Sequence, residues 1–251
     1  MTKINLPEIV TREKWLVDRK RLLKKEKELT HARDVLNAAQ RRLPMVAIDK
    51  EYFFEGNGGK VSLLDLFEGR RQLIVYHFMF HPDWDEGCPS CTAWTAERSA
   101  GEIAHLKARD TSFVLVSRAP FDKIKVFNAS KGWTIPWYSS YGSDFNYDFH
   151  VTLDKSVAPI VYNYQTQAEH RKKGTGYYFE GEEPIELPGM SCFLREGDRI
   201  FHTYSTYGRG GESVGGAYYF LDLTALGRQE EWEEPQGRTT APHIASPNFS
   251  A

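Results

Sequence analysis

The sequence predicts an α/β fold: a central mixed sheet with helices on both faces, preceded by a long N-terminal helix and carrying an aromatic-rich insertion. Three observations lead there. From Met45 onward, short apolar segments alternate with helical ones in the order β, α, β, α, β, α, which favours parallel strands joined by crossover helices. Two of those segments, QLIVYHFMF (72–80) and SFVLVS (112–117), are near-continuous apolar runs, the mark of central strands covered on both faces. A later stretch, SCFLREGDRIFHTYS (191–205), reads as a hairpin turning at EGD, which adds antiparallel pairing.

The first element is a helix over 11–43, capped by Thr11 and stopped by Pro44. Trp15, Leu22, Leu29, Leu36 and Leu43 recur every seven residues, with Ala32 and Ala39 at a second position, so the helix is amphipathic. Eleven Lys and Arg stand against five Asp and Glu in this span. Its polar face is therefore basic, either as a solvated face packed on its own domain or as the flank of a homodimer interface. Without interleaved aromatics it is no nucleic-acid surface.

MVAIDKEYFF (45–54) follows as a strand, GNGGK (56–60) as a turn, and SLLDLFEG (62–69) as a short helix between Ser62 and Gly69. After the strand at 72–80, a cysteine stretch opens a helix expected to run on through TAERSAGEIAHLKARD (95–110). The strand at 112–117 then leads to a helix over 120–132, with Pro120 in its first turn. Residues 133–187 hold twelve aromatics and no strong period, as expected of an insertion with its own packing. ESVGGAYYFLDLTALG (212–227) is expected to be a closing helix. The organisation expected is thus 1–44 helix, 45–227 main domain, and 228–251 an acidic, then Pro/Ser/Thr/Ala-rich tail.

The 251 residues are ample for a real core, and 41% hydrophobic with 26% charged residues is ordinary for a globular protein. A net charge of −2 leaves no global footprint for nucleic acid or membrane. The opening MTKINLPEIVTREKW lacks the apolar core of a signal peptide, and no segment has the run of about eighteen apolar residues that spans a bilayer. A cytoplasmic location is the expectation, and there a close cysteine pair serves redox chemistry or metal more often than a structural disulfide.

That pair is Cys88 and Cys91, in FMFHPDWDEGCPSCTAW (78–94). They stand where a buried strand gives way to a helix, with Pro89 at the first helical position. Amide groups and the helix dipole at that end favour a thiolate on Cys88, while Cys91 lies one turn on and can close a disulfide. Asp83, Asp85 and Glu86 oppose this by pushing the thiol pKa up. Two other readings stand beside the redox one. A zinc site would need partners beyond the pair, with His77, His81 or His105 as the available donors, because Cys192 is alone; the third reading is a silent buried pair. Trp84 and Trp94 flank the cysteines as candidates for a substrate groove or for plain core packing. Asp144, Asn146 and Asp148 alternate with aromatics but lack a calcium-loop pattern, and His202, Tyr204, Tyr207 and Arg209 either line a pocket or pack.

The order of elements, with Cys-Pro-Ser-Cys opening the helix after a central strand, resembles the thioredoxin superfamily. The lead-in LPMVAIDKEYFFEGNGGKVSLLDLFEGRRQLIVYHFMF (43–80) is similar to its peroxiredoxin-type branch. YHFMFHPDWDEGCPSC, VSRAP, GSDFNYDF and FHTYSTYGRG look like a bacterial and fungal family of thioredoxin-like proteins of unassigned function. The resemblance covers nearly the whole chain except most of the tail. It implies a thioredoxin-like fold in which Cys88 attacks and Cys91 resolves. It also makes Pro188 the candidate for the cis-proline that faces bound substrate, with Gly189 expected to intervene before the strand, and it leaves Cys192 as a core residue. Gly87 stands where thioredoxins have Trp, Pro89 occupies the earlier intervening place, and Asp85 stands where a peroxiredoxin has Thr, so an ordinary peroxiredoxin mechanism is not expected. The function expected is thiol–disulfide exchange with a protein or small-molecule disulfide, without cofactor or metal. The alternatives are a binding protein on the same fold and a zinc-stabilised domain.

Overall fold

The computed structural model describes residues 4–216, 221–227 and 229–242. The chain forms two units, one spanning Met45–Gly216 and the other holding, among the described residues, 4–44 with 221–227 and 229–242.

In the smaller unit, α1 (Arg12–Gln40) starts at Thr11, whose hydroxyl accepts the Lys14 amide at 3.3 Å. None of its residues is buried, and Trp15, Leu22, Leu29 and Leu36 are 44–63% exposed. Ion pairs such as Arg19–Glu26 (2.9 Å) and Arg21–Asp18 (3.1 Å) run along its surface. The Asn5 amide donates to the Gly237 carbonyl at 2.7 Å, joining the two ends of the unit.

The larger unit begins with β1 (Val46–Ala47), β2 (Phe53–Gly56), β3 (Gly59–Ser62) and β4 (Gln72–His77). Next come α2 (Pro89–Ala96), α3 (Ala100–Lys107), β5 (Thr111–Ser117), α4 (Phe121–Lys131), β6 (Trp137–Ser139) and α5 (Phe145–Asp148). Then follow β7 (Thr152–Leu153), β8 (Val161–Tyr162), β9 (Gln165–Thr166), α6 (Gln167–Lys172), β10 (Ile185–Glu186), β11 (Gly189–Glu196) and β12 (Arg199–Tyr207). The main sheet has the order β1-β12-β11-β4-β5-β6-β2-β3. β4, β5 and β6 are parallel, β11 is antiparallel to β4, and β12 is antiparallel to β11. A parallel centre flanked by an antiparallel hairpin, with a helix launched from the central strand, is a thioredoxin-like fold.

Several elements differ from the sequence expectation. The strand over 45–54 is two strands on different parts of the sheet, because Val46–Ala47 pairs with β12 and Phe53–Gly56 with β3 and β6. The helix at 62–69 is a single 3-10 turn, Asp65–Phe67, held by exchange between the Ser62 and Asp65 side chains and amides. The long helix after the cysteines breaks in two where Ser99 caps a new start, its hydroxyl accepting the Glu102 amide at 3.0 Å. The stretch 133–187 is not wholly an insertion: Trp137–Ser139 is a strand of the main sheet, and Phe145 and Phe149 are core residues. Its elements are two to six residues long, too short to show a period. The front of the expected closing helix is a 3-10 segment, Gly208–Val214; residues 217–220 of that expectation, and 228 and 243–251 of the tail, lie outside the described residues.

Side chains alternate across β4, so the core has two faces. Leu73 and Val75 pack with Phe54, Phe67, Phe145, Phe149 and Phe193 on one; Tyr76 and Phe78 pack with Cys91, Leu115, Phe127, Trp137 and Met190 on the other. No helix among the described residues is long and apolar enough to cross a membrane.

Candidate active site

The site begins at the C-terminal end of β4. The chain continues through Phe78, Met79 and Phe80, turns, and returns so that the Cys88 amide donates to the Met79 carbonyl at 3.0 Å. The Lys123 ammonium holds the turn by donating to the Pro82 and Trp84 carbonyls at 2.7 and 3.1 Å. Cys88 occupies the N-cap of α2 with an extended ψ of 130°, and Pro89 takes the first helical position, where its missing N–H costs nothing. Both cysteines are free thiols; Cys88 is partly exposed and Cys91 is buried, 2% exposed.

Their electrostatics diverge. The Cys91 thiol beside Cys88, which has the largest effect, and the Cys91 and Ser90 amides and Ser90 hydroxyl at the helix start bring the Cys88 pKa down from 9.0 to about 6 against the opposing cost of burial, although no amide makes a capping hydrogen bond to its side chain. Burial pushes Cys91 the other way, well above the ordinary thiol range, and its hydrogen bond to Cys88 adds to this. A thiolate at a helix start beside a protonated neighbour is the arrangement that separates an attacking thiol from a resolving one. The acids expected to oppose it, Asp83, Asp85 and Glu86, are solvent-exposed. Donors at the helix start, rather than these acids, set the Cys88 thiol.

The remaining sequence candidates fall in different places. Trp84 lies in the turn, 40% exposed, with its ring 6.0 Å from that of His81. Trp94 points into the core, stacked on Tyr76 at 4.2 Å and 18°, which is the packing role. Pro188 directly precedes β11, whose first residue, Gly189, pairs with His77 at the end of β4. Pro188 is therefore beside the exit that carries the cysteines, and the strand starts without the intervening glycine that was expected. The expectation of a cis bond at Pro188 is corrected, because the cis proline of this stretch is Pro184. The backbone at 187–188 is held from two sides, by the Leu187 amide on the Val151 carbonyl (2.8 Å) and the Tyr162 hydroxyl on the Pro188 carbonyl (3.0 Å).

Cys192 sits in β11 with its thiol raised to about 11 by burial. Asp144 and Asp148 both bind the Lys50 ammonium, and the Asn146 amide oxygen accepts the Ser140 hydroxyl at 2.8 Å. The Tyr207 hydroxyl donates to the Phe149 carbonyl at 3.0 Å, and His202 bonds Ser205 at 2.7 Å, so these two have packing roles. His77 bonds Ser191 at 2.8 Å on the face of the sheet opposite Cys91. Among the described residues no three His, Cys, Asp or Glu side chains gather as a metal site, so the zinc reading finds no ligand set there.

Sequence reasoning missed three participants and the spatial role of a fourth. Tyr76 shares a core cluster with Cys91, and its hydroxyl acts to lower that thiol; in the sequence it is hidden as one letter of an apolar run. Tyr162, fully buried, accepts the Gly208 amide at 2.9 Å while donating to Pro188. Arg118 forms a buried ion pair with Glu186 at 2.6 Å, where β5 ends. Gly87 closes on the Phe78 ring. The only available signal was for Arg118, a charge immediately after a buried strand.

A family model described as "Bacterial protein of unknown function (DUF899)" matches residues 4–244. No curated protein matches the chain. Among solved structures, peroxiredoxin Q of Xanthomonas campestris is similar at 13% identity and a TM-score of 0.44, covering 69% of this chain and 92% of its own. Peroxidoxin BcpB of Mycobacterium tuberculosis is similar at 12% identity and a TM-score of 0.37, covering 66% and 85%. A putative protein disulfide isomerase of Bacteroides thetaiotaomicron reaches 20% identity and a TM-score of 0.29 over 41% and 64%.

Proposed function

We propose that this chain, which belongs to the DUF899 family, is a thiol–disulfide oxidoreductase in which Cys88 attacks and Cys91 resolves. The observation that carries the reading is the pair itself: a partly exposed Cys88 at the N-cap of α2, its thiol lowered to about 6, one turn from a buried Cys91 held protonated. The Cys88 thiolate attacks one sulfur of a disulfide R–S–S–R, forming Cys88–S–S–R and expelling RS⁻, which takes a proton from water. Cys91 then loses its proton, attacks the Cys88 sulfur and expels the second RS⁻. The substrate is reduced by two electrons and the enzyme holds a Cys88–Cys91 disulfide, which an external thiol or dithiol reduces. Asp85 in the place of the peroxiredoxin threonine favours a disulfide over a peroxide as the electron acceptor.

Mass spectrometry after mild oxidation tests this. The expected product has lost two protons, mapped to a Cys88–Cys91 crosslink; an unchanged mass, or oxidation confined to other residues, refutes the mechanism. The apolar stripe of α1, none of it buried, favours a second reading, an interaction role with a second copy of the chain as the partner. Under that reading alone Cys88→Ser leaves function intact, whereas under the first it abolishes turnover.

A further inference from the structure

Resolution poses a problem for Cys91 that its surroundings must solve. The sulfur is 2% exposed, so the thiolate needed for attack is poorly solvated and is costly unless a donor faces it. Tyr76 packs in the same core cluster as Cys91, and its hydroxyl, with the Met79 amide, acts to lower the Cys91 thiol against burial.

Tyr76 is placed for this by both elements of the site. It lies in β4 on the face that packs against Cys91, with Met190 as its partner in β11. Its ring stacks at 4.2 Å on Trp94, one helical turn beyond Cys91 in α2. The Arg98 guanidinium lies 4.4 Å over the Trp94 ring and is itself fixed by Glu102 at 3.0 Å. The strand and the helix that carry Tyr76 and Cys91 are thus joined by the same ring, which packing holds in place. Burial also keeps the phenol protonated at any working pH, so it serves as a donor and never as the base.

We propose that the Tyr76 hydroxyl is the hydrogen-bond donor that stabilises the Cys91 thiolate during the resolving attack, an inference that rests on the oxidoreductase reading and names the residue serving its second step. The Cys91 proton passes to water, the Cys91–Cys88 bond forms, the bond from Cys88 to the substrate sulfur breaks, and the departing thiolate is protonated by solvent. Tyr76 keeps its own proton throughout.

A symmetric aryl disulfide that releases a coloured thiolate, dithiobis-nitrobenzoate, separates the two steps on the full-length reduced protein. Attack by Cys88 releases the first equivalent and attack by Cys91 the second. Tyr76→Phe keeps the ring stack and removes the hydroxyl. It is expected to leave the first phase within about twofold, to slow the second by about tenfold or more, as for the loss of a hydrogen bond to a charged group, and to move the pH midpoint of the second phase alkaline. An unchanged second phase with an unchanged midpoint overturns the inference while leaving the oxidoreductase reading intact. A wild-type protein that releases no second equivalent refutes that reading and the inference with it. Should Tyr76→Phe fail to fold, difluorotyrosine placed at position 76 keeps the ring and donates more strongly; the second phase then speeds up, and an unchanged or slower one overturns the inference.

Discussion

The Cys88 amide and the Met79 carbonyl are joined at 3.0 Å, and this bond turns a strand end into a thiol site. It closes the loop between β4 and α2 and sets Cys88 at the N-cap of α2, where the first amides of the helix help to lower its thiol. A thiol at that place is stabilised as its anion by groups that the helix leaves unpaired in any case.

Alkylation with iodoacetamide is therefore expected to label Cys88 first, with a rate that rises through about pH 6 and levels off near neutrality. Only the thiolate reacts, so the rate follows deprotonation, and a lowered pKa moves the rise to the acid side of an ordinary thiol. Cys91→Ala removes the largest stabilising donor and is expected to move the midpoint back toward 9. A midpoint near 9 in the unsubstituted protein would show that the helix start does not activate the thiol.

Much of this was legible in the sequence, for reasons that can be named. Continuous apolar runs at 72–80 and 112–117 marked the central strands because both faces of those strands are covered. Cys88 and Cys91 were legible because a strand, a proline and a helix start fix their surroundings locally. Tyr76 and Tyr162 were not, since Tyr76 reads as one more apolar letter of its strand and the Tyr162 hydroxyl meets Pro188 and Gly208, far along the chain. Nor was the split of 45–54 between opposite sides of one sheet, which depends on pairing with β12, some 150 residues later. The exposed acids around Cys88 misled, because sequence proximity says nothing about whether a charge is screened by water.

Acid sensitivity should come from the other face of the sheet. His77, 1% exposed, bonds Ser191, which bonds Ser205, which bonds His202, at 2.8, 2.8 and 2.7 Å. Burial, helped by repulsion from His202, holds His77 down to about 3, and burial lowers His202 as well. An unfolded imidazole takes up a proton near pH 6.5. Between the two values the unfolded chain binds more protons than the folded one, so stability falls as pH falls through that window, by about 1.4 kcal/mol per pH unit for each histidine held neutral. Urea unfolding from about pH 6.5 to 4.5 reads this slope, and His77→Leu should remove one proton's worth of it. The same slope in the variant would mean that His77 does not carry the dependence.

The last prediction concerns the residue before the attacking cysteine. A Cβ built on Gly87 would lie 2.5 and 2.9 Å from two atoms of the Phe78 ring and 3.2 Å from Phe127. Phe78 cannot step aside, because it is 2% exposed and packed at 4.4 Å on Trp137, with Phe127 and Trp133 on further sides. A glycine here is thus a matter of space, and it explains why a large residue in this place is incompatible with this core. Gly87→Ala must displace either the ring or the backbone that leads into Cys88. The ring route is overpacking, costing about 1–3 kcal/mol, and the backbone route disturbs the Cys88–Met79 bond and the donors facing the sulfur. Thermal unfolding and the alkylation midpoint of Cys88, measured on the same variant, tell the two apart. A fall in stability with the midpoint still near 6 means that the ring moved, and a rise in the midpoint means that the loop did. Unchanged values for both would show that the approach of Gly87 to Phe78 constrains neither the core nor the thiol.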